Sequence, residues 1–353
     1  MADAITYLVP LRVDANVGCQ RYFVLALEQV ADVRIRPAPP WTWPFRRPEQ
    51  KVRAIHHMRL LCDRSGLAPL RAVPESGLTG RYTATIDGAE VRFAVDGRDG
   101  SALLDPEALA WSDVYFKANR WPTVDYPEKV VPLINGNSRI DARRIELLRA
   151  LRDTPKDIDV CFVSNVWGGR EHNVRLFEQL AKVPGNKVLR AVFPAGFPES
   201  ETAELKARLD RAGVPAGDVQ MPLPELWQTM ARSKVVFFRS GKHLCLPWRT
   251  LDLLAMGACV VMDAVPSPAW FEPLQRDVNF LACLDERPSD TSPAPDEEYG
   301  RIAPVVSALL ADEGRMAAVR QANARYFDEF AAPERVGAHM LEVLRAHVAG
   351  LTA

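Results

Sequence analysis

Several signals that would place the chain in a specialised class of protein are missing from its 353 residues. The first residues lack the basic start and apolar run of a secretion signal, and no window reaches about 18 uninterrupted apolar residues. The six cysteines form no Cys-x-x-Cys pair, which argues against a zinc knuckle or a redox motif. We therefore expect a cytoplasmic protein, neither exported nor membrane-spanning, with reduced and mostly buried thiols.

The composition is that of a folded globular protein, with 48% apolar and 25% charged residues. Single hydrophobic cores stop growing at roughly 250 to 300 residues, so the length predicts two domains. The polar segment 153–157 is the expected boundary. It separates an N-terminal domain, residues 1–153, from a C-terminal domain, residues 158–330, and leaves residues 331–353 as a helix that could pack back across the junction.

Hydrophobic periodicity in the first half predicts a strand, a helix and a strand between Ile5 and Arg36. Two alternating segments at residues 80–100, separated by Asp87 and Gly88, predict an inserted β-hairpin.

The second half alternates strands and helices more regularly. Its predicted strands are Ile158–Val163, Lys187–Phe193, Lys234–Phe238 and Cys259–Asp263. Valine-rich strands that alternate with helices indicate a parallel sheet covered by helices. The sequence therefore predicts an α/β protein with two Rossmann-like domains.

Ligands of open α/β sheets bind beyond the carboxyl ends of the strands, so the loops after the strands are the candidate sites. Gly168, Gly169 and Arg170 follow the first strand of the second half and precede a helix. Glycines at a helix start let a phosphate approach backbone N–H groups, and an arginine adds a charged donor. A turn that merely requires two glycines explains the same residues equally well.

The loop after strand Lys234–Phe238 has a stronger pattern. Arg239, Lys242 and Arg249 cluster around the loop and the start of the next helix, which is chemistry suited to a diphosphate held without a metal. Asp252 lies three positions after Arg249, so both side chains can face one ligand, with the carboxylate suited to ribose hydroxyls.

These residues resemble the donor-binding signature of GT-B glycosyltransferases, most closely the exostosin-like branch, and also glycosyltransferase family 1. In that signature an Arg-x-Gly loop follows a strand, an arginine and an acidic residue three positions on come next, and a Gly-Cys-x-Pro-Val segment leads into the following strand. The matching residues are Arg239, Gly241, Arg249, Asp252 and the segment 257–261.

One position departs from the wider GT-B pattern of two glutamates. Asp252 stands where that pattern has its second glutamate, but the first falls on Leu244. Retaining and inverting outcomes therefore both remain open.

The resemblance implies the GT-B architecture, with two Rossmann-like domains facing each other across a cleft. It implies transfer of a sugar from a nucleotide-sugar donor, held by the C-terminal domain as a co-substrate, to an acceptor held by the N-terminal one. It also implies that no cofactor or metal takes part. The residues expected to bind the donor are Gly168, Gly169, Arg170, Leu223, Arg239, Gly241, Thr250 and Asp252, and Arg249 and Lys242 are expected to act on the leaving diphosphate.

The residues themselves agree on the absence of a metal. Asp157 and Asp159 form the only Asp-x-Asp of the chain, and the pair precedes its strand instead of following it, as a structural pair would. Leu223 and Pro224 lie in a loop where a base could stack, although a helix-entry turn explains them as well.

An inverting mechanism needs a general base in the N-terminal domain. Asp14, in the loop after the first strand, is the best-placed candidate, and Asp125 and His243 are the alternatives.

Segment 34–71 has nine basic and two acidic residues, a net charge of +7. Trp41, Trp43 and Phe45 precede Arg46 and Arg47 within it. This mixture could contact a membrane peripherally, giving access to a lipid-linked acceptor, or grip DNA that carries a modified base. The rings could instead pack under the interdomain cleft while the arginines are solvated or bind a small anionic acceptor.

Two other functions fit the same residues. A nucleotide-sugar epimerase shares the architecture and converts donor without an acceptor. A protein that binds sugar nucleotides or nucleic acid without turnover would also tolerate Leu244.

Overall fold

A computed structural model describes residues 3–9, 18–37, 79–98, 100, 104–137, 140–166, 170–193, 199–241, 244–266, 270–284 and 294–352. The chain divides into two compact units. The first consists of Met1–Ala142, Pro268–Glu272 and Asp328–Ala353, and the second of Arg143–Ser267 and Pro273–Phe327. Each unit contains one six-stranded sheet. The predicted α/β class with two Rossmann-like units is confirmed.

In chain order the elements are β1 (Ala4–Val9), α1 (Gly18–Glu28), β2 (Asp32–Pro37), β3 (Thr79–Ile86), β4 (Ala89–Asp96), α2 (Pro106–Trp111), β5 (Val114–Lys117), β6 (Val130–Pro132), α3 (Ala142–Ala150), β7 (Ile158–Asn165), α4 (Arg170–Ala181), β8 (Lys187–Val192), α5 (Glu199–Arg211), β9 (Ala216–Gly217), α6 (Leu223–Ala231), β10 (Ser233–Phe238), α7 (Thr250–Ala255), β11 (Val260–Ala264), β12 (Phe280–Leu284), α8 (Asp296–Tyr299), α9 (Ile302–Leu310), α10 (Glu313–Tyr326) and α11 (Pro333–Thr352). A 3₁₀ turn, Leu151–Asp153, follows α3, and a π-helical turn, Phe327–Ala331, follows α10.

The sheet of the first unit has the strand order β2-β1-β3-β4-β5-β6. The predicted hairpin is present as β3 and β4, the two central strands, and its turn has φ of 50° at Asp87 and 86° at Gly88. Positive φ at both central residues is the geometry of a type I′ turn, which Asp-Gly favours. Strand β3 is antiparallel to β1 and β4, whereas the β1–β2, β4–β5 and β5–β6 pairs are parallel. The carboxyl ends of β1, β4, β5 and β6 therefore lie at one edge.

Aromatic rings from four neighbouring strands form the centre of this unit's core. The ring centroids of Tyr7 and Tyr82 are 4.6 Å apart, those of Tyr82 and Phe93 are 4.8 Å apart, and those of Phe93 and Phe116 are 5.9 Å apart. All four side chains are buried. Cross-strand aromatic contacts of this kind help to fix the register of a sheet.

The last helix, α11, belongs to the first unit and packs against α1. A Cβ atom at Gly337 would collide with the carbonyl of Ala26, so glycine is required for this close approach. The hydroxyl of Tyr22 donates to the carbonyl of Ala331 just before α11. These contacts fix the C-terminal helix beside the first helix of the chain.

The sheet of the second unit is parallel throughout, with the strand order β12-β11-β10-β7-β8-β9. Successive strands run outward from β7 on one side and from β10 on the other. This is the doubly wound order of a Rossmann fold, and its direction reverses between β7 and β10. Phe162 on β7 contacts Phe177 on α4 and Phe237 on β10, with ring centroids 4.4 and 5.2 Å away.

Several sequence predictions concern residues outside the described ranges. These are Asp14, Gly168, Gly169, Lys242, His243 and nearly all of the basic segment, from residue 38 to residue 71. Within the described ranges, none of the helices is long and apolar enough to cross a membrane.

Candidate functional site

The two loops predicted to bind the donor leave the second sheet from neighbouring strands. Strands β7 and β10 pair in parallel, with Val160 opposite Val235 and Cys161 opposite Val236. Their carboxyl ends therefore lie side by side at the point where the strand order reverses. Rossmann-like sheets bind ligands at this position because the outgoing loops separate there and leave a crevice.

The loop after β10 is closed by its own backbone. The N–H of Gly241 donates to the carbonyl of Cys245 at 2.8 Å, and the N–H of Leu244 donates to the carbonyl of Gly241 at 3.1 Å. A Cβ at Gly241 would lie 2.5 Å from the sulfur of Cys245, so a larger residue would displace the loop. Leu244 has φ of 56°, in the left-handed region that non-glycine residues seldom adopt. The predicted Arg-x-Gly segment is thus held in one specific conformation.

Thr250 begins α7 at the far end of the same loop, and Arg249 is the N-cap residue before it. Arg249 is half-buried, and its guanidinium carbon lies 6.0 Å from the centroid of the Trp248 ring. Thr250 is only 6% exposed, and its Oγ1 has no hydrogen-bond partner. Buried hydroxyl groups normally have a partner. Thr250 therefore presents an unused hydrogen-bonding group next to a cation.

Asp252, the predicted ribose ligand, is 1% exposed. Its Oδ2 accepts a hydrogen bond of 2.9 Å from Nε1 of Trp227 on α6. Helix α6 starts at Leu223, the predicted base-contacting residue, which is half-buried, while Pro224 beside it is exposed. The hydrogen bond therefore joins α6, which begins at the predicted base-contacting residues, to α7, which follows the predicted diphosphate loop. A ribose contact by Asp252 stays a prediction.

A buried polar network that sequence reasoning missed lies at the same edge of the sheet. Asp263, near the end of β11, accepts hydrogen bonds from the N–H of Ser240 at 2.8 Å and from its hydroxyl at 3.2 Å. Nε2 of His172 on α4 is 2.9 Å from Asp263, and its Nδ1 is 2.6 Å from the hydroxyl of Tyr299. The N–H of Ala294 donates to that hydroxyl at 3.2 Å.

This network fixes the elements that carry the candidate site. It connects the loop after β10, the end of β11, the first turn of α4 and the residues before α8. With Asp263 ionised, Nε2 of His172 carries the proton and donates to it, while Nδ1 accepts from Tyr299. A histidine and an aspartate that are 91 residues apart carry no local sequence signal, so only the fold reveals the pair.

The first turn of α4 is also bound to α5. Glu171 accepts from Arg175 at 2.8 Å and from Arg208 at 2.6 Å, and Arg208 also pairs with Glu178 at 2.8 Å. Partial burial raises the pKa of Glu171, but the hydrogen bonds from the two arginines outweigh it, so the pKa lies below its usual value. The same carboxylates, Glu178 first, raise the pKa of Arg208. Glu171 is therefore ionised and engaged with both arginines.

The Asp-x-Asp pair lies at the amino end of β7, away from the candidate loops. Asp157 pairs with Arg232, whose Nε is 2.8 Å from Oδ1. Asp159 pairs with Lys234 at 2.8 Å and accepts the N–H of Asn186 at 2.7 Å. The bond to Arg232 lowers the pKa of Asp157, and the bond to Lys234 lowers that of Asp159. Ion pairing between neighbouring elements accounts for both carboxylates, as the sequence predicted.

Two further predicted residues have a described backbone position. Arg170 is the first residue of α4, and Asp125 is exposed in the loop between β5 and β6. The predicted roles of both remain predictions.

Comparison with solved structures reveals the fold. A glycosyltransferase from Rickettsia africae is similar with a TM-score of 0.51 and 10% sequence identity, over 98% of this chain and 98% of that chain. MurG from Acinetobacter baumannii gives a TM-score of 0.45 and 10% identity, over 97% and 99% of the two chains. HepE from Anabaena in complex with UDP gives 0.45 and 17% identity, over 67% of this chain and 64% of that one.

No protein-family model and no curated protein sequence matches the chain. The similarity to the Rickettsia enzyme at 10% identity is a similarity of fold. Together with the two Rossmann-like units, it shows that the chain has the GT-B fold of glycosyltransferases. The predicted resemblance is confirmed at this level.

Proposed function

We propose that the chain is a glycosyltransferase that moves a sugar from a nucleotide-sugar donor, bound by the second unit, to an acceptor bound by the first. The observation that carries the proposal is the position of the two candidate loops. They follow β7 and β10, the neighbouring strands at which the order of a doubly wound sheet reverses. The GT-B fold shared with a glycosyltransferase supports the same reaction class.

The proposed donor site uses cations for the diphosphate. Arg239 and Arg249, with Lys242, would bind its oxygens, since a guanidinium matches a phosphate with two parallel hydrogen bonds. The hydroxyl of Thr250 would gain a phosphate oxygen as its missing partner. When the bond between the sugar and the diphosphate breaks, negative charge develops on the leaving group, and the cations stabilise it. No cofactor or metal is part of the proposal.

The remaining donor contacts are proposed from their places in the sequence. Leu223 and Pro224 would contact the base, Asp252 the ribose, and Gly168, Gly169 and Arg170 a phosphate.

The acceptor side is proposed more broadly. A glycan, a lipid-linked glycan or a modified DNA base would fit, with segment 34–71 serving the last two, the lipid-linked case through peripheral membrane contact in the cytoplasm. Asp14 is the first candidate for a general base that would remove the proton of the attacking hydroxyl, and Asp125 is the second.

Thr250→Val separates a binding role from a structural one. Valine keeps the shape and removes a buried hydroxyl without a partner, so the ligand-free protein should unfold at an equal or higher temperature. Because the hydroxyl is proposed to bind phosphate, the increase in melting temperature caused by UDP, GDP or ADP should shrink. Arg249→Ala should abolish that increase, as measured by thermal unfolding with and without each nucleotide.

Two matched controls complete this experiment. Thr229 lies on α6 with its hydroxyl bonded to the carbonyl of Glu225 at 2.8 Å, and Arg211 is exposed at the end of α5. Thr229→Val and Arg211→Ala should leave the nucleotide-induced shift unchanged. The proposal is wrong if no nucleotide stabilises the wild-type chain, or if Arg249→Ala and Arg211→Ala respond alike.

A further inference from the structure

The loop that follows β5 in the first unit contains three consecutive residues with unsatisfied polar atoms. Oδ1 of Asn119, Nε of Arg120 and Nε1 of Trp121 are all buried and have no hydrogen-bond partner. Asn119 is fully buried, whereas Arg120 and Trp121 are partly exposed. Native proteins leave few buried polar atoms unpaired, so three in succession indicate a position at which a ligand completes the hydrogen bonding.

A buried ion pair holds this loop in place. Asp96 at the end of β4 and Lys117 at the end of β5 are both fully buried, with Nζ and Oδ2 3.6 Å apart. Asp96 also accepts from the hydroxyl of Tyr115 at 2.5 Å and the N–H of Arg98 at 2.8 Å. Burial raises the pKa of Asp96, and Lys117 opposes that shift.

The carbonyl of Arg98 connects this pair to the loop. It accepts from Nζ of Lys117 at 2.9 Å and from Nδ2 of Asn119 at 3.4 Å. Asn119 therefore has its amide nitrogen engaged and its oxygen unused. The buried pair therefore holds Asn119, the first of the three residues, in place.

The charge of Arg120 is not neutralised by any carboxylate in the described part of the chain. Its guanidinium lies over the ring of Tyr126, 5.2 Å from the centroid, and the exposed Asp125 of the same loop does not pair with it. Arg81, on the same sheet, gives a useful contrast. It lies 5.7 Å from the centroid of the Trp111 ring, but it also pairs with Glu107 at 3.3 Å.

We propose that Asn119, Arg120 and Trp121 form an acceptor subsite for a sugar that carries an anionic group, either a carboxylate or a phosphate. Arg120 would bind the anion with its fork of N–H groups. The indole N–H of Trp121 would donate to a sugar oxygen, and Oδ1 of Asn119 would accept a sugar hydroxyl. The role of this sugar as the acceptor rests on the proposed function, but binding of the anionic sugar does not require that function.

Isothermal titration of the full chain with glucuronate, glucose 6-phosphate and glucose tests this subsite. At least one anionic sugar should bind more tightly than glucose. Arg120→Gln should raise its Kd about tenfold, the size expected for a lost charged hydrogen bond, and leave glucose unchanged. Trp121→Phe, which keeps an aromatic ring but removes the N–H, should raise the Kd severalfold. Arg81→Gln is the matched control and should have no effect.

Equal binding of the anionic sugars and glucose overturns the subsite, and so does an equal response to Arg120→Gln and Arg81→Gln. The comparison between the two anionic sugars tells a carboxylate from a phosphate. Titration of UDP, GDP and ADP into the same proteins separates this inference from the proposed function. If none of these proteins binds UDP, GDP or ADP while the Arg120 effect is intact, the glycosyltransferase is refuted and the anion subsite is retained. Normal nucleotide binding without an Arg120 effect would retain the glycosyltransferase and refute the anion subsite.

Discussion

At the scale of single residues, the structure explains why the first position of the signature segment 257–261 is a glycine. Gly257 ends α7 with φ of 59°. The N–H of Ala258 donates to the carbonyl of Leu253 at 2.9 Å, and that of Gly257 donates to Leu254 at 3.0 Å. This is the Schellman motif, in which a left-handed residue closes a helix. A Cβ there would lie 3.1 Å from the carbonyl of Arg320 on α10.

Gly257→Ala should therefore lower the free energy of unfolding by more than the cost of placing alanine in a left-handed conformation alone. Gly213 is the matched control, since it follows α5 with φ of 70° and no atom lies within 4 Å of the point that a Cβ would occupy. Gly213→Ala should lower the free energy of unfolding by about 1 to 2 kcal/mol. Gly257→Ala should lower it by about 1 kcal/mol more because α10 must move. Urea unfolding measures both, and equal losses would show that the contact with α10 does not matter.

Residue-level predictions succeed where one physical cause dominates. The four cysteines with described side chains are buried, as expected, and form no disulfide bond: Cys161, Cys245, Cys259 and Cys283. Burial raises the pKa of Cys161, Cys259 and Cys283 to about 12, so these thiols stay protonated and unreactive. The left-handed backbone of Leu244 was not predictable, because leucine has no intrinsic preference for it and the closed loop imposes it.

At the scale of elements, periodicity predicted the helices and strands that are long enough to show a pattern. The hairpin of β3 and β4 and the alternation from β7 to β11 are examples. Strand β9 has two residues, too few for any period to appear. Strand order is a different kind of information, since it depends on which apolar surfaces pack together, and the reversal between β7 and β10 became visible only in the fold.

The pair of His172 and Asp263 belongs to this scale because it joins α4 to β11. His172→Leu leaves a buried carboxylate without one of its donors. Asp263→Asn replaces one of the two acceptor oxygens that His172 and Ser240 contact with an NH2 donor. Each change should lower the free energy of unfolding by about 3 kcal/mol.

A double-mutant cycle tests whether the two residues act together. The loss of free energy of unfolding in the variant with both substitutions should be smaller than the two single losses added together, by at least about 1 kcal/mol. The reason is that each single change already breaks the same interaction. Urea unfolding of the four proteins gives the coupling energy. Additive losses would contradict a shared network.

At the scale of the whole molecule, the chain keeps the GT-B fold at 10% sequence identity to a solved glycosyltransferase. The alternation of apolar strands with amphipathic helices suffices to specify such units, and many sequences satisfy it. The candidate site was predictable only in part. The loops after β7 and β10 could be selected by their charge and position, whereas Thr250 with its unpaired hydroxyl and the Asn119 to Trp121 loop depend on burial, which no single sequence displays.

The most direct test of the glycosyltransferase assignment is to incubate the purified chain with UDP-glucose and other common nucleotide sugars and to follow the donor by NMR. A glycosyltransferase should release the nucleoside diphosphate slowly with water as the acceptor, and this release should be lost in Arg249→Ala and kept in Arg211→Ala. Conversion of the donor to an epimer without release of nucleotide would identify an epimerase instead. No change in any donor, with no nucleotide bound, would contradict the glycosyltransferase assignment.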